Sequence, residues 1–258
     1  MKIILSRKGW DSGSGGLNPS PVFPDGTIQS LPIGCVLGSP TYASVAPSAI
    51  TAKGYPNLDA FFAVYPPRWI PTNPYAHLDP DLEHAAYPRL AGWSPCFGQQ
   101  GAAAAHLTNQ CVDQGDLFLF YGWFDDVRLS GGRWLRRHND RFLIWGWLQV
   151  GSILTPPFPP WLHYHPHAVH AGSYPNNRIY VATQGLTDVN TLGPWDGGGV
   201  FAHEHPDRNL TLSHGHRGTY PTKLPDWFSG AMTRHRQEHV IDITEIPQAG
   251  PWLSSIFV

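Results

Sequence analysis

The sequence predicts an α+β fold built on one mixed, strongly bent β-sheet. Three observations lead there. Two long apolar runs, Asp116–Phe124 (DLFLFYGWF) and Phe142–Val150 (FLIWGWLQV), flank a polar, Arg-rich connection and read as two central antiparallel strands. Helical patterns are few and short. Strand-like segments are spread over all 258 residues with no internal repeat, heptad or linker, which predicts a single domain over residues 1–258. A partly closed β-barrel with a helical insertion is the alternative architecture.

The elements follow in order. Lys2 to Ser6 is apolar and β-branched and reads as a short buried strand. Gly9 to Pro24 is rich in Gly, Ser, Pro and Asn, a long loop of the kind that carries function. Asp25-Gly26 marks a turn, after which Thr27 to Ile33 returns as a second strand. Residues 34–57 are irregular. Ala60 to Tyr65 is a strand or a short buried helix, ended by Pro66-Pro67. Asp79-Pro80-Asp81 predicts a helix to about Ala86, with Asp79 as N-cap and Pro80 at the first helical position. Gln99 to Gln110, around four consecutive alanines, is the clearest helix. Gly122 and Gly146 interrupt the central strands and suggest bulges or close backbone contacts. Arg178 to Thr183 is a further strand, Leu210 to Ser213 a short one, and Pro225 to Phe228 the start of a final helix. His239 to Thr244 and Trp252 to Val258 close the chain as strand or helix.

Composition narrows the function. A net charge of −2 and a pI of about 6.7 exclude a polycation that grips duplex through many phosphates. The Arg-rich run from Arg133 to Arg141 is the local exception, a phosphate-binding patch or a solvated loop. Three widely spaced cysteines, Cys35, Cys96 and Cys111, without a CxxC, fit a reducing compartment. The apolar run at the N-terminus is too short for a signal peptide. No stretch approaches the roughly 20 apolar residues of a membrane span. A cytoplasmic protein without a membrane partner is expected.

Several constellations could carry chemistry. Lys8, Asp11 and Ser12 lie just past a strand end among glycines that let backbone N–H groups approach an anion. The loop is neither a P-loop nor a Rossmann fingerprint; a functional loop is the favoured reading and an ordinary turn-rich connection the competing one. His77 and Asp79 have the H-x-D spacing that, with a distant His, builds a 2-His-1-carboxylate metal centre; the competing reading is a helix N-terminus. His106 on its predicted helix shares a face with Ala102, Ala103, Asn109 and Gln110, and is a general base or a structural histidine. His163, His165, His167 and His170 form the densest histidine run; alternating on an extended chain they could chelate a metal. His203-Glu204-His205 and His214-Gly215-His216 repeat the H-x-H theme. Neither H-E-x-x-H nor G-x-S-x-G occurs, so a zincin and a serine hydrolase are unsupported.

The opening LSRKGWDSGSGG, followed by PSPVFPDG and SLPI, resembles the third of the nucleotide-modification-associated domain families of bacteria and bacteriophages. The likeness continues through HLDPDL at 77–82, GAAAAHL at 101–107, GDLFLFYGWF at 115–124 and FLIWGWLQVG at 142–151. It implies a role in altering or handling DNA bases or nucleotides, alongside DNA-modification enzymes encoded nearby. Carried over by residue, it points to Arg7, Lys8, Asp11, Ser12, Ser20, His77, Asp79 and His106; the His203–His205 pair matches no motif of the family. A second likeness is to PUA-like barrels, which hold a flipped base, through Gly115-Asp116-LFLFYG and the Gly146-x-x-Gln149-Val150-Gly151 strand end.

Three functions compete. In an enzyme acting on a nucleotide or base, Lys8, Asp11, Ser12 and His106 would be catalytic. Arg7, Trp10, Ser20, Asn109, Tyr121 and Trp123 would bind substrate, the aromatics by stacking. A noncatalytic reader would have an aromatic pocket with few convergent titratable groups. A metal-dependent oxygenase or hydrolase would hold a divalent transition metal on His77, Asp79, His165 and His167.

Overall fold

The computed structural model describes residues 1–10, 18–35, 38–66, 74–189, 191, 194–214 and 238–258. In chain order its elements are β1 (Lys2–Arg7), β2 (Ser20–Val22), α1 (Ser48–Ala52), α2 (Leu58–Phe62), β3 (Cys96–Gln99) and α3 (Gly101–Asn109). Then come β4 (Leu117–Ser130), β5 (Arg133–Arg136), β6 (Arg141–Leu154), α4 (Pro166–Val169), β7 (Arg178–Ala182), β8 (Gly198–Val200), β9 (Thr211–His214), β10 (His239–Asp242) and α5 (Ala249–Ser254). Asp11, Ser12, the proposed helix at 225–228 and the His214–His216 pair's side chains lie outside this description.

The architecture is the expected α+β, with one open mixed sheet in the order β10-β1-β4-β6-β7-β3 rather than a barrel. Its spine is β4 against β6, antiparallel from Leu117↔Gln149 to Phe124↔Arg141. Each strand runs 14 residues, long enough to serve several partners in succession. Along one edge β4 pairs first with β1 and then with β2, both in parallel. The other long strand, β6, takes β9, β8 and β7 in turn. The apolar runs read from the sequence are therefore central because they are covered on both faces. Phe118, Phe120, Leu143, Ile144 and Leu148 are at most marginally exposed. A second cluster under Trp10, Phe23, Phe61, Tyr65 and Trp134 fixes the loop-rich segment 18–66 to the far end of β4.

Gly122 is a close-contact glycine, as its position in the run suggests. A Cβ there would lie 2.7 Å from the Lys8 carbonyl oxygen. That carbonyl belongs to the residue at which β1 stops, where Lys8 N donates to Tyr121 O at 2.8 Å. The strand register shifts between Phe120 and Tyr121 at the same point. The chain thus leaves the sheet at Lys8–Gly9 beside a bulge in β6, where Trp145 is the extra residue, a common place for a site.

Several local expectations are corrected. The Arg-rich connection is not a loop: it forms β5, hairpinned to β4 through Gly131 and Gly132. Thr27–Ile33 does not form a strand; it makes only the isolated bridges Val22↔Ile28 and Thr27↔His203, while Ser20–Val22 in the predicted loop is the strand. Ala60 to Tyr65 is no strand: its first part belongs to the helix α2, Leu58–Phe62, which is capped by the Asn57 side chain. No helix begins at Asp79. Residues 77–83 run extended, with Asp81 and Cys96 exchanging backbone hydrogen bonds at 2.8 and 2.9 Å, and only a short 3-10 turn follows at His84–Ala86. The aspartates that would cap a helix are taken by tertiary partners, which outweigh capping propensity. Among the described residues no helix is long and apolar enough to cross a membrane.

Candidate functional site

The end of β1 and the extended segment 77–83 form two walls of a cavity of about 220 Å³. Arg7, Lys8, His77, Asp79, Asp81, Glu83 and Trp145 line it, with Pro32, Ile33, Val45 and Pro47 as the apolar side. Trp145 is the single Phe, Tyr or Trp among these lining residues.

At the Asp79 side of the cavity the histidine-dense segment closes in. His77, Asp79 and His167 each offer a ligand atom, all within 4.8 Å of one another. His165 Nε2 stands 3.5 Å from Asp79 Oδ1, and His167 Nε2 stands 3.5 Å from Asp79 Oδ2. The sequence placed His165 and His167 on an extended chain. In fact His165 is the N-cap of α4, its side chain accepting from His167 N, and the turn of the helix start aims both rings at Asp79.

Three features hold this arrangement. Asp79 Oδ1 accepts the Gly98 backbone N–H at 2.7 Å. Gly98 itself leaves room for the His167 ring, since a Cβ there would sit 2.3 Å from His167 Cδ2. Asn177 grips His167 twice: its Nδ2 donates to the His167 carbonyl at 2.7 Å and its Oδ1 faces His167 Nδ1 at 2.8 Å. Because that Oδ1 is an acceptor, the network assigns a proton to Nδ1 of His167. The segments are registered by Asp81. Its carboxylate is fully buried and takes a two-pronged bond from Arg89, at 2.7 and 2.6 Å, with Trp93 Nε1 at 3.0 Å and Tyr164 OH at 2.6 Å. Tyr164 immediately precedes His165, so the Asp81–Tyr164 bond ties the two histidine-bearing segments together.

The electrostatics follow from burial. Burial pushes His77 down to about 4 against the opposing pull of Asp79, so its imidazole is neutral near pH 7. Burial would raise the Asp79 carboxyl, but contacts with His165 and His167 outweigh it and hold Asp79 well below the usual carboxylate range. For His167, burial opposes the charge, yet Asp79 and Asn177 together raise its pKa.

A neighbouring network surrounds Glu238. Its Oε1 accepts from Ser6 Oγ at 3.2 Å and from Gln99 Nε2, and Lys8 Nζ lies 3.7 Å away. Lys8 also sits 4.6 Å over the Phe97 ring. His106 Nε2 meets the Glu238 backbone carbonyl at 2.9 Å. Among the described residues His106 is linked to Lys8 through Glu238, and it is not among the residues that line the cavity.

The remaining expected binding residues fall into place as follows. Arg7 lines the cavity, its guanidinium 4.8 Å from the Phe142 ring centre. Trp10 is fully buried, stacked on Phe62 with Nε1 donating to Pro32 O at 2.7 Å, so it packs the second core and is not open to a base. Tyr121 and Trp123 are likewise buried; Trp123 Nε1 donates to Asp140 at 2.9 Å. Buried Ser20 accepts from Leu31 N at 3.1 Å, a loop brace. Asn109 is exposed at the end of α3, away from the cavity lining. Glu204, between His203 and His205, pairs with Arg141, which leaves that H-x-H exposed and unclustered among the described residues. Sequence reasoning missed Gly98, Asn177, Trp145 and Glu238. Asn177 lies in an unremarkable Asn-Asn pair, and of the four only Trp145 falls within a motif, the FLIWGWLQVG run at 142–151.

The site is thus an α+β sheet's strand end, an extended segment and a histidine-bearing helix start brought together beside a small cavity. The chain belongs to the family described as nucleotide modification associated domain 3, which matches residues 2–253. No match to the chain was found among curated proteins or among solved structures.

Proposed function

We propose that this protein is an enzyme that modifies a nucleobase or nucleotide in the cavity beside Lys8. Membership of the family supports a role in nucleic-acid modification. The observation that carries the enzymatic reading is the convergence of Lys8, His77, Asp79 and His167 at one place. A reader of modified bases needs aromatic walls and few converging titratable groups, and this cavity has the opposite make-up. At about 220 Å³ it is smaller than the roughly 300–1,000 Å³ of sites that enclose drug-sized ligands, a size suited to one heterocycle. Lys8 would hold or polarise the substrate, with Glu238 fixing its ammonium.

Presentation of that base on DNA is favoured by the β4–β5 hairpin. Residues 125–141 contain five arginines and three aspartates. Arg136 pairs with Asp125, and Arg141 with Asp126 and Glu204. Arg128, Arg133 and Arg137 are exposed and remain available for phosphates.

The test is mass spectrometry of nucleosides and nucleotides from cells expressing the wild type, Lys8→Met or Asp79→Asn. The reading expects a product that disappears with either folded variant. No new nucleoside or nucleotide with the wild type, or an unchanged product with both variants, would sink it.

A further inference from the structure

We propose that Asp79 Oδ2, His167 Nε2 and a ring nitrogen of His77 form a mononuclear site for a divalent first-row transition metal. The site deepens the enzymatic reading above, but metal binding can be established without any reaction.

The ligand atoms are prepared in the way metal ligands are. A neutral imidazole coordinates through the nitrogen that carries no proton, and the partner of the other nitrogen decides which one that is. Asn177 Oδ1, at 2.8 Å from Nδ1, puts the His167 proton there and leaves Nε2 as a lone pair. That lone pair faces Asp79 Oδ2 at 3.5 Å, so two acceptors look at each other across a gap. Either a proton or a metal cation between them settles such a pair. A shared proton would draw the two atoms to roughly 2.7–2.9 Å, the length of a charge-assisted hydrogen bond. A metal at about 2.0–2.1 Å from each ligand instead holds neighbouring donors about 3 Å or slightly more apart. The observed 3.5 Å lies nearer the second.

Asp79 is similarly divided. Oδ1 is occupied by the Gly98 N–H, and Oδ2 faces His167 Nε2. His77 contributes a buried Nδ1 with no hydrogen-bond partner among the described residues. A buried imidazole nitrogen left unpaired is costly, and a metal on the ring, which would orient it, is one account of why it is retained. His165 takes a different part. Its Nδ1 accepts the His167 N–H at 3.3 Å, so in the neutral ring its proton sits on Nε2, which is buried 3.5 Å from Asp79 Oδ1 without a hydrogen-bond partner among the described residues. A nitrogen that carries a proton is not a ligand, which removes His165 from the set expected from the sequence.

Two imidazoles and one carboxylate select the metal class. Magnesium and calcium prefer oxygen alone, whereas this mixed set suits zinc, iron(II), cobalt(II) or nickel(II). Three protein ligands leave at least one position for water or substrate, the mark of a catalytic rather than a structural site.

The experiment uses the full-length protein, stripped with chelator and titrated with zinc(II) and cobalt(II) by calorimetry, with cobalt absorption as the spectroscopic reading. One equivalent should bind at micromolar or lower concentration, and excess magnesium should not displace it. Asp79→Asn and His167→Ala should abolish binding. Asn177→Ala, which keeps all three ligands, should weaken it roughly 10–100-fold, as loss of an outer partner does. Circular dichroism of each variant separates lost ligands from lost folding, and Asn177→Ala keeps the test valid if a ligand variant fails to fold. No binding by the wild type, or equal binding by folded Asp79→Asn and His167→Ala, overturns the proposal. Metal-free protein that still modifies nucleosides overturns a catalytic role for the metal and leaves the enzymatic reading standing. Bound metal without modification does the reverse.

Discussion

Asp81 gives the sharpest test of how the site is held. Its carboxylate and the Arg89 guanidinium are 0% and 2% exposed, so neither charge has water to fall back on. Asp81→Asn is nearly isosteric. One carboxamide oxygen can still accept from Tyr164 and Trp93, but the amide nitrogen then points at an Arg89 donor that now sits 2.6 Å from Oδ1. The substitution loses a hydrogen bond to a charged group, worth about 1.5–3 kcal/mol, and leaves a buried cation without its counterion. Breaking one side of such a pair costs about 3–5 kcal/mol. Arg89 keeps its bonds to the Glu83 and His84 carbonyls, at 2.9 and 3.2 Å, and the ring of Trp93 at 4.8 Å, which places the expectation toward the lower end.

For a chain of this size each kcal/mol moves Tm by about 2–4 °C, so Asp81→Asn should melt roughly 6–16 °C lower. Calorimetry reads the shift, and chemical denaturation gives the free energy. The Asp81→Asn/Arg89→Met double variant should recover part of the loss, because removing both charges removes the uncompensated one. A loss under about 1 kcal/mol for Asp81→Asn, or a strictly additive double variant, would refute the argument that this pair braces the segment.

Three further outcomes are expected. Gly98→Ala should leave far-ultraviolet circular dichroism unchanged but displace the His167 ring, whose Cδ2 would be 2.3 Å from the new methyl; calorimetric zinc titration should show binding lost. Gly122→Ala, whose Cβ would meet the Lys8 backbone carbonyl at 2.7 Å, should cost about 1–3 kcal/mol in urea denaturation because no flexible side chain can yield. Arg128→Glu/Arg133→Glu/Arg137→Glu should weaken oligonucleotide binding and flatten its salt dependence by about one unit of slope per phosphate contact removed, read by fluorescence anisotropy. Folding and zinc affinity should be unaffected in that variant.

The spine of the sheet was legible because β4 and β6 are apolar on both faces, and such runs tolerate few other readings. The same was true of α3, whose alanines favour a helix whatever surrounds them. The segment 79–86 misled because its capping residues were judged locally. Asp79 and Asp81 answer to Gly98, Arg89 and Tyr164, all distant in sequence. β3 and β8 were illegible for another reason: each is short and contains glycine, so neither has the alternation that marks a strand. For the site, the H-x-D pair and the histidine run were each visible. Their meeting was not, because it depends on the Asp81–Tyr164 bond and on a missing side chain at residue 98. Trp10 shows the converse error, a residue assigned to binding by its neighbours in sequence and taken into the core by its neighbours in space.

The charges around the cavity join the metal and substrate proposals. Arg7 and Lys8 bring two positive charges, while Asp79, Glu83 and Glu238 bring three negative ones; Asp81 is matched by Arg89. On these groups the site carries about one net negative charge, which disfavours a phosphate-bearing ligand. A dication on Asp79, His77 and His167 reverses the sign. Metal and anionic substrate should therefore bind with positive coupling, and linkage requires the effect to be mutual. A nucleoside monophosphate should tighten cobalt(II) binding, and cobalt(II) should tighten nucleotide binding by the same factor, on the order of 5–150-fold. The corresponding uncharged nucleoside should show much weaker coupling. Equal coupling for nucleoside and nucleotide would mean that charge reversal is not what links the two sites, and would move the phosphate away from the metal, out toward the arginine hairpin.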